Sequence, residues 1–204
     1  MNIVPLLLII LGGIIILFLL FYRFYFLRDP ERTPPQGNYL ISPADGKIIT
    51  IERFRRSRLA IPKGIGIIPV TVSDVAQAGT LISIFMSVLD VHVNRAPIAG
   101  KIKYITHRPG KFLIASQPES TFKNEHCEIL ISGKIKVKVL LIAGFLARRI
   151  IPKINKGDRI LAGQRIGMIT LGSQVTLIIP SQVKVTAQVG DHVKAGTSIL
   201  GTLP

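Results

Sequence analysis

Lys156-Gly157-Asp158-Arg159-Ile160-Leu161-Ala162-Gly163-Gln164-Arg165-Ile166-Gly167 is echoed downstream by Val189-Gly190-Asp191-His192-Val193-Lys194-Ala195-Gly196-Thr197-Ser198-Ile199-Leu200-Gly201. In each copy Gly-Asp supports a turn, a hydrophobic residue points inward, and Ala-Gly makes a second turn into a strand. A shorter echo pairs Pro43-Ala44-Asp45-Gly46-Lys47-Ile48 with Pro97-Ile98-Ala99-Gly100-Lys101-Ile102. Further out, Ile48 to Ile51, Thr80 to Met86, Lys101 to Ile105, Lys134 to Ile142 and Val175 to Ile179 are rich in Ile, Val and Leu. Gly, Pro, Asn and Asp punctuate them, as strands and their turns require. Long stretches of helical period are scarce beyond the N-terminus. The pattern predicts a mainly β domain over 41–204, a barrel or sandwich.

The doubled Gly-Asp turn motif resembles the folded-over hammerhead of biotinyl and lipoyl carrier domains. That resemblance implies a barrel-sandwich scaffold and no particular chemistry. A carrier role is disfavoured, because no Lys in a Met-Lys context occupies the hairpin between the two halves.

The chain has 204 residues, room for one domain and a short appendage. Lys and Arg number 26 against 11 acidic residues, a formal net charge of +15, which favours an anionic partner. Trp is absent and aromatic residues are few, so a base-stacking surface is poorly supplied and no nucleic acid is expected. The single Cys127 excludes an intramolecular disulfide and a cysteine zinc cluster. His92, His107, His126 and His192 lack ligand spacing, and no metal is expected. Basic residues gather at Arg53, Arg55, Arg56 and Arg58, at His107, Arg108 and Lys111, and at Arg148-Arg149. They read either as a solvated surface or as a face for anionic headgroups, worth about 1 kcal/mol each near a membrane.

From Ile3 to Tyr22 no residue is charged, and Leu, Ile and Phe dominate. Twenty residues at about 1.5 Å rise span roughly 30 Å, the depth of a bilayer's hydrocarbon core. A cleaved signal peptide would want a basic leader and a small-residue cleavage site. Here Met1-Asn2 leads, and Tyr22, Arg23, Phe24 and Tyr25 close the run. Residues 1–27 are therefore expected to be an uncleaved transmembrane anchor with an aromatic belt. Arg23, Arg28 and Arg32 follow it, which places the remainder on the cytoplasmic side. Charged, proline-rich 28–40 reads as an extended linker.

Gly167-Met168-Ile169-Thr170-Leu171-Gly172-Ser173-Gln174-Val175-Thr176-Leu177 sets a Gly-Ser pair between two strand-like runs. Gly-Ser is an ordinary turn dipeptide, and local chemistry favours that reading. It also sets a hydroxyl beside an open carbonyl. Upstream, Asp90-Val91-His92 would put two polar side chains on one face of an extended segment, where an Asp can fix a histidine's tautomer. No Gly-x-Ser-x-Gly elbow surrounds Ser173, so the usual hydrolase framework is missing.

Taken together, ordered motifs resemble a known family. They are Ile41-Ser42-Pro43-Ala44-Asp45-Gly46-Lys47, then Phe85 to Pro97 with its Asp90-Val91-His92-Val93-Asn94-Arg95, then Arg108-Pro109-Gly110-Lys111-Phe112. Asn124-Glu125, Ile142-Ala143-Gly144, Ala147-Arg148-Arg149 and Gly163 to Ile169 leading to Gly172-Ser173 complete the series. From about Phe26 to Gly201 the chain resembles the phosphatidylserine decarboxylase proenzyme family, in its short bacterial and archaeal branch.

The resemblance implies self-cleavage at Gly172-Ser173, giving a β chain of 1–172 and an α chain of 173–204 headed by a pyruvoyl group made from Ser173. That covalent pyruvate would form a Schiff base with the amine of a phosphoserine lipid, an anionic membrane substrate, and accept the electrons left by CO2. The two chains would stay associated, and an oligomer is compatible. Asp45 maps to a relay position of the longer branch, whose relay His falls where this chain has Arg95. His92 is then the candidate base or proton donor, and Asp90 its candidate orienter. Gln174 and Thr176 stand where family neighbours of the cleavage serine often have Arg and Asp. The competing reading is a non-enzymatic, membrane-tethered adaptor with a carrier-like β domain, which would need neither Ser173 nor cleavage.

Overall fold

The computed structural model describes residues 3–55, 57–63, 66–109, 125–144, 149–170 and 173–204. The chain begins with α1 (Val4–Leu20), which has Pro5 in its first turn, where a missing N–H is harmless. It runs on into a π-helical segment, Phe21–Phe26, where Leu27 N donates to Tyr22 O at 3.1 Å, five residues back. Ring pairs Phe18–Tyr22, Phe21–Tyr25 and Tyr22–Phe26 stack along it with centroids 5.3–6.4 Å apart. Val4 to Phe26 is one helix long and apolar enough to cross a membrane, and its apolar side chains are exposed. By contrast, Phe21 and Tyr22 are half-buried, and Phe26 is fully buried in the β domain.

The next residues are held closely against that domain. Asp29 pairs with Arg95 (3.2 Å) and Arg165 (2.6 Å), Glu31 with Arg165 (2.5 Å), and Arg32 with Asp45. The extended segment expected here is thus fastened along the surface by its charges.

Among the described residues sixteen strands follow. The first eight are β1 (Tyr39–Ile41), β2 (Gly46–Phe54), β3 (Arg58–Lys63), β4 (Gly66–Thr71), β5 (Gly79–Met86), β6 (Val93–Arg95), β7 (Gly100–Arg108) and β8 (His126–Ser132). Then come β9 (Lys136–Ala143), β10 (Arg149–Pro152), β11 (Arg159–Ile160), β12 (Arg165–Thr170), β13 (Ser173–Pro180), β14 (Lys184–Val185), β15 (His192–Val193) and β16 (Ile199–Thr202). Eight form one curled antiparallel sheet in the order β11-β7-β8-β9-β13-β5-β2-β15.

The two sequence echoes meet across this fold. Gly190 N donates to Ile48 O (2.8 Å) and Ile48 N to Asp191 O (2.9 Å); Gly157 N donates to Ile102 O and Ile102 N to Asp158 O, both at 2.9 Å. The second copy of the long motif therefore clasps the first copy of the short one, and the reverse. Gly157 and Gly190 share the same left-handed backbone, with φ of +98° and +102°. Their aspartates do the same work, Asp158 accepting from Asn155 N (2.7 Å) and Asp191 from Gln188 N (2.8 Å). The motifs close both edges of the sheet, β11 on β7 and β15 on β2. The expected mainly β, hammerhead-like architecture is observed.

Side chains two apart share a face of a strand. On one face Ile48, Ile84, Met86, Val139, Leu141, Val175 and Leu177 enter the larger core, closed over by the small sheets β1-β16-β14 and β10-β12-β6. On the other, Leu81, Leu140, Ile142 and Ile178 pack beneath the β3–β4 hairpin. Buried Lys138 joins that face, paired with Asp74 (3.0 Å) and Glu128 (3.2 Å) and donating to Thr71 O. Tyr104 donates to the same Asp74, and burial first, then that bond, push its hydroxyl's pKa up.

Candidate active site

Strand β13 lies mid-sheet, paired along its length with β5 and over six residues with β9. With both faces covered, all eight of its residues are buried, polar Ser173, Gln174 and Thr176 included. Ser173 is its first residue, paired with Met86 on one side and Ala143 on the other. Its side chain shares the face of Val175 and Leu177, is fully buried, and directs Oγ to Met86 Sδ at 3.3 Å. The same sulfur receives Asn94 Nδ2 at 3.8 Å. On the opposite face Thr176 bonds Ser83 (2.9 Å), and Gln174 donates to Thr176 (3.3 Å). Gly172, the other half of the junction, lies outside the described residues, as do Gly110, Lys111, Phe112, Asn124, Ala147 and Arg148 of the quoted motifs.

His92 approaches from the connection after β5. It is fully buried, and its main-chain carbonyl accepts from Ile169 N (3.2 Å), four residues before Ser173. The ring packs on Phe26 with centroids 4.2 Å apart. Nδ1 bonds Asp90 O at 2.9 Å. A carbonyl can only accept, so Nδ1 carries the proton and the neutral ring keeps its lone pair on Nε2. Nε2 is buried and has no partner among the described residues. Burial, the largest influence, lowers the imidazole pKa; the Asp90 carbonyl, then the Asp90 charge, raise it, Arg28 lowers it, and Asp45 raises it least.

The expected geometry of Asp90 differs in one respect. Asp90 and His92 are not neighbours on an extended strand. Ser87–Asp90 is a turn, closed by Asp90 N donating to Ser87 O (3.1 Å) and by Ser87 N donating to the Asp90 carboxylate (2.7 Å). Asp90 orients His92 through its main chain, because its carboxylate is spent on the turn.

Asp45 is nearly buried, and both its oxygens are engaged by Arg32 (2.5 and 2.7 Å), with Ala195 N donating to one at 2.8 Å. It is a charge near His92 and a fastening for Arg32. Arg95 is fixed by Gly163 O (3.0 Å), Pro30 O (2.9 Å) and Asp29. Burial, then the Arg165 charge, lowers its pKa, and the Asp29 carboxylate raises it. Glu125 accepts from His107 Nε2 (2.7 Å) and Ile150 N (3.0 Å), and its carbonyl accepts from Ala143 N, the residue opposite Ser173.

Met86, Asn94, Phe26 and Arg32 were not read from the sequence as site residues. Met86 and Asn94 stood inside the same quoted motif as His92, and Arg32 was read only for its charge; an apolar Met or Phe carries no chemical signal of its own. Among the described residues no group of three or more His, Cys, Asp or Glu could hold a metal ion.

Fold and site together define a β protein with one membrane-capable helix whose last ring reaches a buried histidine, and with a buried serine opening its central strand. The family model described as phosphatidylserine decarboxylase matches residues 18–201. The phosphatidylserine decarboxylase proenzyme of Chlorobium chlorochromatii is 40% identical over 191 residues, 93% of this chain and 82% of that one. Those of Desulfotalea psychrophila (42% identical, 89% of this chain and 79% of that one) and Nitratidesulfovibrio vulgaris (40%, 92% and 81%) are similarly related. The chain belongs to the phosphatidylserine decarboxylase family. It is an enzyme, a decarboxylase, which sets the adaptor reading aside.

Proposed function

We propose that the chain cuts itself between Gly172 and Ser173 and then decarboxylates a lipid bearing a phosphoserine headgroup, phosphatidylserine or its archaeal ether counterpart archaetidylserine. The observation that carries this is Ser173 itself: buried and first in the central strand, in a chain of this family whose buried His92 Nε2 has no partner among the described residues. Ser173 Oγ attacks the Gly172 carbonyl carbon, and the peptide bond becomes an ester. His92 Nε2 is the assigned base for that hydroxyl. Loss of the Ser173 α-proton then expels the Gly172 carboxylate, and water converts the remaining dehydroalanine to a pyruvoyl group with release of ammonia.

The site suits such a group. It forms in place, at a buried strand end, where Asn94 Oδ1 and His92 Nε2 are buried polar atoms without partners among the described residues. A pyruvoyl group supplies a ketone that captures an amine and an electron sink for the pair left when carboxylate departs. His92 would hold or return a proton there, Asp90 O fixing its tautomer, while the packed core excludes bulk water.

Residues 1–27 would anchor the enzyme and 28–40 would connect anchor to domain. Arg23, Arg28 and Arg32 support a cytoplasmic catalytic side. Products 1–172 and 173–204 would remain together, because β13 belongs to one and both its neighbours to the other. Expression should yield two fragments, the smaller blocked by a pyruvoyl group, and Ser173→Ala should yield one uncut, inactive chain. Mass spectrometry showing only intact wild-type chain would overturn the proposal. Carbon dioxide release from the two lipids separates the substrates.

A further inference from the structure

Met86 contacts Ser173 and His92 follows six residues later, so one connection, Ser87 to Val91, joins the residue against Ser173 to His92. Its tip does something unusual for an active-site loop. Val88 and Leu89 are two adjacent apolar side chains 48% and 58% exposed. They stand next to the end of the anchor helix, because Arg28 donates both to Leu89 O (2.5 Å) and to Tyr25 O (2.8 Å) while lying 4.0 Å over the Tyr25 ring. Phe24 (72% exposed) and Tyr25 continue the apolar surface onto the helix.

The loop's backbone is prepared for a dry setting. Leu89 N donates to Ser87 Oγ (3.3 Å), Leu89 O accepts from Arg28, Asp90 N donates to Ser87 O, and Ser87 N donates to the Asp90 carboxylate. A polar backbone group entering lipid must carry its partner with it, and these do. Arg28 flanks the tip with a cation suited to the headgroup layer.

We propose that Val88 and Leu89 are a second membrane contact beside the anchor. They seat the Ser173 end of the sheet on the bilayer, so that a headgroup is taken while its chains stay in the membrane. The occupant is the lipid surface, since the patch continues the face of the membrane helix. The inference rests on the proposed lipid substrate for its purpose, not for its geometry.

The test uses full-length chain carrying Leu89→Cys, reconstituted in phosphatidylcholine–phosphatidylglycerol vesicles and labelled with an environment-sensitive dye. Cys127 is fully buried, so labelling is selective. Ser181→Cys is the control; it is exposed just past the far end of β13, about 25 Å along the strand from Ser173. Emission at position 89 should shift to the blue and be quenched by spin-labelled lipid, while position 181 reports water. Water-like emission at 89 would overturn the proposal, as would a shift that tracks protein concentration instead of lipid, which would assign the patch to a second copy of the chain. In the Val88→Ser, Leu89→Ser double variant, turnover on vesicle-borne phosphatidylserine should fall several-fold relative to a monomeric short-chain analogue. An unchanged ratio counts against the contact. If neither substrate reacts and the wild-type chain stays uncut, the decarboxylase reading fails, and the dye still decides the membrane contact.

Discussion

Two neighbours and its burial together set the state of His92. Asp90 O fixes the tautomer, Phe26 shields the ring, and burial lowers its pKa. The unfolded chain protonates this imidazole near pH 6.5 and the folded chain only at lower pH. Between those values the unfolded state binds more protons, so this contribution to stability is fully present above about pH 6.5 and is lost on acidification through the folded pKa. His92→Gln should flatten thermal stability against pH in that window, in detergent melts from neutral to acid. Self-cleavage should likewise stay level down to pH 6.5 and decline only below it, if His92 must be neutral. Phe26→Ala admits water to the ring and should move that decline towards pH 6.5, whereas Phe26→Leu should move it less. A pH profile of processing rate reads the difference.

The strands and turns carry a different kind of constraint. Gly157 and Gly190 sit in open space with φ near +100°, so a side chain there meets strain and no clash. Gly157→Ala and Gly190→Ala should each cost about 1–3 kcal/mol, and by near-equal amounts, since the turns repeat each other bond for bond. Chemical denaturation checks both. On the second face, Lys138 neutralises two carboxylates under the β3–β4 hairpin. Lys138→Met leaves Asp74 and Glu128 facing each other without a cation and should cost about 3–5 kcal/mol, read in the same assay. The β pattern was visible in the chain as Ile, Val and Leu runs, and even the repeated turns showed as Gly-Asp. What the turns clasp was not visible, because a 2.8–2.9 Å hydrogen bond from Ile48 or Ile102 to a turn far along the chain leaves no local signature.

For the whole molecule, the arrangement of β13 between β5 and β9 predicts that cleavage changes covalent structure but not assembly. The two fragments should co-elute in native chromatography and separate only in denaturant. With a net charge of +15, turnover on anionic vesicles should fall several-fold as salt rises, since screening shortens the reach of surface charge to about 8 Å at physiological ionic strength. Self-cleavage, an event inside the core, should not follow.

The sequence by itself determined the mainly β domain, the apolar N-terminal helix and the Gly172-Ser173 junction as the place to look. Each is written in local composition: alternation or apolar runs, an uncharged stretch of membrane length, and ordered motifs. Only the tertiary structure decided who serves whom. Asp90 shows this most plainly: its spacing from His92 suggested a carboxylate–imidazole pair, but the chain turns at Ser87–Asp90 and presents a carbonyl instead. Asp45 is claimed by Arg32, and the last ring of the N-terminal helix is delivered to His92. Those pairings depend on where the backbone bends and what burial leaves unpaired, which are properties of packing in three dimensions and not of spacing along a chain.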